Sequence, residues 1–304
     1  MEIRCGIDLG GTKIEGVLIE TNHKELKVIE RLRLPTEKEK GYRHIINQVC
    51  KVVQLLEASS SIKVSRLGIG TPGTSDPITG LLKNSNTTCL NGLPFKHDLE
   101  NKLGIPIEIA NDANCFALAE TRFGIVAEQF PEAKVVFGVI MGTGVGGGLV
   151  VNGQVVNGRH GIAGEWGHNF LDSSGGECYC GKEGCVERIL AGPSLERYYL
   201  EQTGNSLKLK EIVQRHKAKT DPKATKTIER LLYFFGKAIA SITNTIDPDV
   251  IILGGGVGNI DLLYTEELKS LKHYIFNPTV ETKILKPKLG DSAGVFGAAL
   301  LIDD

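Results

Sequence analysis

The amino-acid sequence predicts an α/β protein of two lobes, and three observations carry that expectation. Its 304 residues exceed the size at which one hydrophobic core usually stops growing. Apolar strand patterns recur along the chain, and three of them run into glycine-rich segments. A shift of 132 positions also lays Gly6, Gly10 and Gly16 on Gly138, Gly142 and Gly148, with Ile7, Leu9, Val17, Leu18 and Ile19 on Val139, Met141, Leu149, Val150 and Val151. A duplicated strand-loop-strand unit accounts for this match; coincidence among glycine-rich segments is the alternative.

Taken in order, residues 3 to 8, 13 to 19 and 26 to 34 are rich in Ile, Val and Leu and read as three strands. An amphipathic helix is expected from Tyr42 to Glu57. Arg66 to Gly70 is a further strand, leading into the turn-rich segment Thr71 to Gly80, and Ile105 to Ala110 is another, ending at Asn111 and Asp112. Polar groups at a strand end often face a cleft. Val135 to Met141 opens the second half, and Leu149 to Asn152 is the strand after its glycine run. A helix is expected from about Lys223 to Thr245, stopping before Asp247 and Pro248. Val250 to Leu253 is a strand that opens into Gly254, and Gly294 to Ile302 reads as a closing helix. With no Pro- or Ser-rich linker between the halves, the lobes should be joined by tight crossovers. The expected division is a small lobe of residues 1 to 112, completed by the helix near 293 to 304, and a large lobe of residues 113 to 292.

Composition narrows the function. Hydrophobic residues make up 41% and charged residues 23%, as in soluble globular chains. Lys plus Arg (35) nearly balances Asp plus Glu (36), so no basic field draws the chain to nucleic acid or to an anionic membrane, and a small-molecule partner is expected. The segment Met1 to Arg4 leads straight into a strand pattern without the features of a signal peptide, and no run is long enough to span a bilayer, so a cytoplasmic protein is expected.

Each glycine segment follows an apolar strand: Asp8-Leu-Gly10-Gly11-Thr12-Lys13, Gly142-Thr143-Gly144-Val-Gly146-Gly147-Gly148, and Gly254-Gly255-Gly256-Val-Gly258. Glycine lets backbone N–H groups close around phosphate oxygens, although any one loop could be a plain hairpin turn. Gly142, Gly144 and Gly147 satisfy the spacing of a dinucleotide-binding fingerprint, but an extended segment follows where that motif requires a helix. Asp8 shifts the balance towards phosphate, since a carboxylate at a strand end beside such a loop suits an outer-shell partner of Mg²⁺, and Lys13 could position the phosphates.

Seven cysteines divide unevenly. Cys5, Cys50, Cys89 and Cys115 are scattered in apolar surroundings and read as buried, inert thiols. Cys178, Cys180 and Cys185, with His168 upstream, offer three thiolates and one imidazole, a donor set that closes a tetrahedral Zn²⁺ shell. Gly175, Gly176, Gly181 and Gly184 permit the turns such a knot needs. A disulfide is the alternative, which a cytosolic chain with an adjacent histidine disfavours. Four protein ligands leave no open position, so the expected zinc is structural. Glu165 and Glu187 bracket the knot, and Glu165 stands beside the only tryptophan in Gly-Glu-Trp-Gly-His, which suits hydrogen bonding to sugar hydroxyls.

The motifs Asp8 to Lys13, Asn111-Asp112-Ala-Asn114, Gly142 to Gly148, Glu165-Trp-Gly-His168 and Cys178 to Glu187 resemble those of the ROK family of bacterial sugar kinases and repressors, across nearly the whole chain. The resemblance implies an actin-like ATPase (ribonuclease H-like) fold with a central cleft and an ATP-dependent sugar kinase, with a homodimer expected. It implies Asp112 as general base, with Asn111, Glu165, His168 and Glu187 holding sugar hydroxyls. The first two glycine loops would hold the ATP phosphates, and Gly254 to Gly256 would lie near the adenosine. An aspartate within reach of a sugar hydroxyl can take its proton as it attacks the γ-phosphorus, though capping of the following helix is an alternative role for Asp112.

Within that family the stretch from Lys83 to Phe95, with Ala163 to Asn169, looks most like the fructokinases, so fructose is the expected substrate. N-acetylglucosamine, N-acetylmannosamine and glucose kinases share the core motifs, and the choice rests on the pocket around Gly73, Asn84 and Asn86. A sugar-sensing repressor would carry an N-terminal helix-turn-helix, for which a phosphate loop starting at Asp8 leaves no room. A non-catalytic sugar-binding protein would be expected to lose Asp112 or a phosphate loop.

Overall fold

The structure is a computed structural model that describes residues 2–22, 25–265 and 267–302. Residues 303 and 304, at the end of the expected closing segment, lie outside the described residues. The chain forms two compact units: Met1–Glu132, Gly148–Ala163 and Lys288–Asp304 make the first, and Ala133–Gly147 with Gly164–Pro287 make the second.

The first unit begins with strands β1 (Glu2–Leu9), β2 (Lys13–Thr21) and β3 (Leu26–Pro35), a meander in which β2 pairs antiparallel with both β1 and β3. Helix α1 (Tyr42–Ser60) follows, then β4 (Leu67–Thr71), the short pair β5 (Thr74–Ser75) and β6 (Leu82–Lys83), α2 (Phe95–Leu103), β7 (Ile107–Asn111), α3 (Asp112–Arg122) and α4 (Ile125–Gln129). The sheet order is β3-β2-β1-β4-β7, with β4 parallel to both β1 and β7. One face is covered by α1, whose Val52 and Leu56 press on Gly16.

The second unit is built on β8 (Val135–Met141) and β9 (Val145–Val151), the latter running on into the first unit, where β10 (Gln154–Val155) pairs with it. Helices α5 (Glu187–Leu190), α6 (Gly192–Thr203), α7 (Leu209–Lys217) and α8 (Pro222–Ile246) precede β11 (Val250–Gly254), α9 (Gly255–Gly258), α10 (Glu267–Tyr274) and β12 (Lys283–Leu285). Strand order is β10-β9-β8-β11-β12, with β11 parallel to β8 and β12. A returning strand and its neighbour on one side, and two parallel strands on the other, repeat the plan of the first sheet, as the 132-residue internal match anticipates.

Helix α11 (Ala293–Ala299) returns to the first unit. It covers the second face of that unit's sheet so closely that a Cβ on Gly6 would stand 2.4 Å from Ala299 N, and one on Gly68 1.8 Å from Ala298 O. Glycine is what lets this helix lie on these strands. The division after Asp112 differs from this arrangement, because α3 also packs against α11 and stays with the first unit. Strand β9 starts four residues before the expected Leu149, with Gly146, Gly147 and Gly148 inside it. Cys5, Cys50 and Cys115 are buried and Cys89 is half-buried. Among the described residues no helix is long and apolar enough to cross a membrane.

Candidate functional site

In the first unit the parallel strands β1, β4 and β7 end together. Asp8 stands opposite Gly70, Gly70 opposite Ala110, and Thr71 opposite Asn111. The expected catalytic group Asp112 follows at once as the first, exposed residue of α3. Asn111 keeps an extended backbone and caps the helix, its Oδ1 accepting from Ala113 N at 2.9 Å, while Asp112 Oδ1 accepts from the same N–H at 2.8 Å. Asn111 and Asp112 thus share the first free N–H of α3, and the cap fixes the direction in which the chain leaves the sheet at Asp112.

Asp8 is half-buried, and burial pushes its carboxyl up, with the Glu15 charge acting in the same direction and Lys13 and Arg33 against it. A Cβ on Gly294 would lie 3.5 Å from Asp8 Oδ2, and one on Gly70 3.8 Å from Oδ1 and 3.2 Å from Cys115 Sγ. The Cys115 thiol is held well up by burial and then by the charges of Asp8 and Asp112, so both carboxylates flank this one buried sulfur. The sequence reads Cys115 as a buried thiol and Gly294 as the start of the closing helix, but only their place in the fold brings them to Asp8.

The first glycine loop is a tight turn: Gly10 N donates to Lys13 O at 2.9 Å, and Thr36 fastens it by donating from N to Thr12 O (3.0 Å) and from Oγ1 to Gly10 O (2.7 Å). Lys13 is half exposed and sits 3.7 Å from Glu15. Glu15 itself is 1% exposed and also pairs with Arg31 and with Arg33, the latter at 2.7 Å. Gly73 lies against the backbone of residues 83 to 85, where any Cβ would stand 2.5 Å from Lys83 O. Asn84, in the left-handed region at φ 59°, and Asn86 are exposed on a loop whose shape Asn91 sets. Its Oδ1 accepts from Ser85 N and its Nδ2 donates to Ser85 O, both at 2.9 Å.

In the second unit the turn after β8 is shorter than the glycine run suggests. Gly142 N donates to Gly144 O at 2.9 Å, Thr143 is exposed at the tip, and β9 resumes at Val145. Glu187 Oε2 accepts from Val145 N at 2.9 Å, and a Cβ on Gly144 would meet that oxygen at 2.6 Å. One oxygen of this expected sugar ligand thus braces the glycine turn. Trp166 donates from Nε1 to Gly146 O at 3.0 Å, and its ring fills the space over Gly147, where a Cβ would be 2.5 Å from Trp166 Cδ1. The indole holds the Glu165–His168 turn against the strand. Burial pushes the Glu165 carboxyl up; His168 opposes this and Glu187 adds to it, which places the three side chains in one neighbourhood. Gly254 ends β11, Gly255 has φ 81° and turns against Met141 O, and Gly256 faces open space.

His168, Cys178, Cys180 and Cys185 bring one ligand atom each to within 4.8 Å of one another. The edges between Cys178 Sγ and His168 Nδ1 (3.7 Å) and between the sulfurs of Cys180 and Cys185 (3.6 Å) match the roughly 3.7 Å edge of a tetrahedron with bonds of about 2.3 Å. Positive φ at Gly181 (83°) and Gly184 (70°) turns the chain around the four donors. Burial and then the neighbouring sulfurs push the Cys185 thiol up to about 12. The donor set fits Zn²⁺.

Comparison with known proteins agrees with this geometry. A model of the ROK family matches residues 4–304. An N-acetyl-D-glucosamine kinase of Aliivibrio fischeri is 34% identical over 306 residues, covering 97% of this chain and 98% of its own length. Among solved structures, a ROK hexokinase from Thermus thermophilus superimposes with a TM-score of 0.86 at 30% identity, covering 99% of this chain and 97% of that one. A ROK family glucokinase from Streptomyces griseus, in complex with glucose and AMPPNP, gives a TM-score of 0.77 at 27% identity and 99% coverage of both chains. The chain belongs to the ROK family and has its actin-like ATPase fold.

Proposed function

We propose that this ROK-family chain, an ATP-dependent sugar kinase, has N-acetyl-D-glucosamine as its substrate. The observation that carries the chemistry is the exposed Asp112 carboxylate, held by the Asn111 cap at the carboxyl ends of the parallel strands beside Asp8. A sugar hydroxyl is a weak nucleophile, and Asp112 takes its proton as the oxygen attacks the terminal phosphorus. Amides of the Gly10–Lys13 turn, in the same unit as Asp112, stabilise charge on the transferred group. Mg²⁺ is expected with Asp8 as an outer-shell partner, where it would neutralise phosphate charge. Zn²⁺ is expected in the His168, Cys178, Cys180 and Cys185 shell, where it would stabilise the loop that carries Glu165 and Glu187.

The choice of sugar rests on relatives. Curated N-acetyl-D-glucosamine kinases from Aliivibrio, Vibrio and Pasteurella are 34 to 36% identical over nearly the whole chain, which supports that substrate over the fructose expected from the Lys83–Phe95 stretch. A coupled assay of ADP release across N-acetylglucosamine, fructose, glucose, mannose and N-acetylmannosamine tests it. The highest kcat/KM is expected for N-acetylglucosamine; a higher value for fructose would restore the fructokinase reading, and no turnover on any sugar would refute the kinase. Asp112→Asn is expected to lower kcat by about 100-fold or more with the fold intact, and retained turnover would remove Asp112 from the mechanism.

A further inference from the structure

Lys13 is the cation that the sequence places on the phosphate loop, but its ammonium lies 3.7 Å from Glu15, in a row of charges on β2 and β3. A different lysine faces the loop. A Cβ built on Gly11 would stand 3.9 Å from Lys38 Nζ and 3.8 Å from Thr87 Oγ1. The Thr87 side chain belongs to a residue only 1% exposed, and its hydroxyl has no hydrogen-bond partner among the described residues. Burying a hydroxyl without a partner is costly, and such groups concentrate where a ligand supplies the missing bond.

The backbone around Lys38 is set for this position. Thr36, two residues earlier, is bonded to both Gly10 and Thr12 of the loop. Glu37 occupies the left-handed region at φ 49°, a conformation that costs a non-glycine residue energy, and its carboxylate is engaged by Lys40 at 2.6 Å and His44 at 2.8 Å rather than by Lys38. Cys89 Sγ contacts Lys38 O at 3.8 Å, which joins the Lys38 turn to the segment carrying Thr87. Three separate stretches, residues 10–13, 36–38 and 87–89, thus converge in the first unit on one amide-lined turn, with an ammonium and an unsatisfied hydroxyl directed at it.

We propose that Lys38 and Thr87 bind the terminal phosphoryl group of the nucleotide, Lys38 by charge and Thr87 by donating its hydroxyl hydrogen to a phosphate oxygen. This rests on the ATP-dependent kinase reading and deepens it. The terminal group is the one assigned because it must reach the nucleophile at Asp112, which is carried by the same unit and the same strand ends as Asp8. Both side chains then act as charge builds on the transferred group, where a well-placed donor is worth about 100-fold in rate.

The test compares wild type with Lys38→Met, Lys38→Arg, Thr87→Val and Thr87→Ser, measuring sugar-dependent ADP release and the binding of ADP and of the imido analogue of ATP by calorimetry. Lys38→Met is expected to lower kcat about 100-fold and to weaken the imido analogue at least about tenfold while leaving ADP within about twofold, because only the analogue carries the terminal group. Lys38→Arg should recover part of the loss. Thr87→Val should lower kcat about tenfold without lowering the melting temperature, since it removes an unpaired buried hydroxyl, and Thr87→Ser should recover turnover. Wild-type kcat in Lys38→Met, or equal weakening of ADP and the analogue, would overturn the assignment while leaving the kinase reading intact. Failure of wild type to bind either nucleotide would overturn both.

Discussion

Glu120 offers a test of how the catalytic edge is held. It is completely buried at the end of α3, and its carboxylate accepts from three backbone amides: Ile125 N at 2.9 Å and Lys288 N at 3.0 Å on Oε2, and Leu289 N at 2.7 Å on Oε1. The last two amides begin the segment that returns to the first unit and leads into α11, whose Gly294 lies beside Asp8. Truncation by Glu120→Ala strands three donors that each cost about 1–3 kcal/mol when left unsatisfied. Water entering the vacated space satisfies part of that demand, so the lower end applies, about 3 kcal/mol in all. For a chain of this size, that corresponds to a fall in Tm of about 5 °C. Glu120→Gln keeps one acceptor but turns the other into a donor facing N–H groups, and about half the loss is expected. Thermal melts followed by far-UV circular dichroism measure both. A Glu120→Ala protein melting within about 2 °C of wild type would show that the three amides find other partners and that the clamp does not hold the returning segment.

Other expectations concern the site itself. Because the folded protein raises the Asp8 carboxyl, the native state holds that proton more tightly than the unfolded chain, and stability falls as pH rises through the interval between the two values. Asp8→Asn should therefore raise Tm at pH 7 more than at pH 4 while abolishing turnover; an equal effect at both pH values would contradict the burial argument. Gly147→Ala drives a methyl group into Trp166 and should cost about 1–3 kcal/mol, with a shift in the emission of the chain's only tryptophan; unchanged emission and stability would refute the packing. Elemental analysis should find one zinc per chain, and its removal by a chelator should lower sugar affinity as well as Tm. Folded, metal-free protein with unchanged sugar affinity would separate the two.

The meander β1–β3 and the strand ends at Asp8 and Asn111 were legible because alternating or continuous apolar runs stop at polar or glycine residues, a local signal. The glycine run 142–148 misled for a physical reason. Gly147 and Gly148 are strand residues whose missing side chains make room for Trp166 and for the backbone of Ala113, demands imposed by partners distant in sequence. The same holds for Gly6 and Gly68 under α11. The His168–Cys185 donor set was readable from spacing because metal ligation needs particular residue types, whereas Lys38 is one lysine among 35 basic residues, with no local pattern to distinguish it. Its meaning depends on Thr36, which binds the loop 26 positions away.

A link between the metal knot and the phosphate turn emerges only from the folded chain. Cys185 is a donor of the knot, and two residues later Glu187 places Oε2 on the Val145 amide at the end of the Gly142–Gly144 turn. Val186 N donates to Asn169 O, next to His168, at 3.0 Å, so the segment between donor and brace is fixed at both ends of the knot. The brace extends further, for Ser194 Oγ donates to Glu187 O at 2.8 Å and Gly192 N donates to Gly142 O at 2.9 Å. A cation that gathers His168 and Cys185 would therefore set the position of Glu187, and through it the shape of the Gly142–Gly144 turn. Glu187 is thus the link between the loop that carries the four donors and the turn after β8.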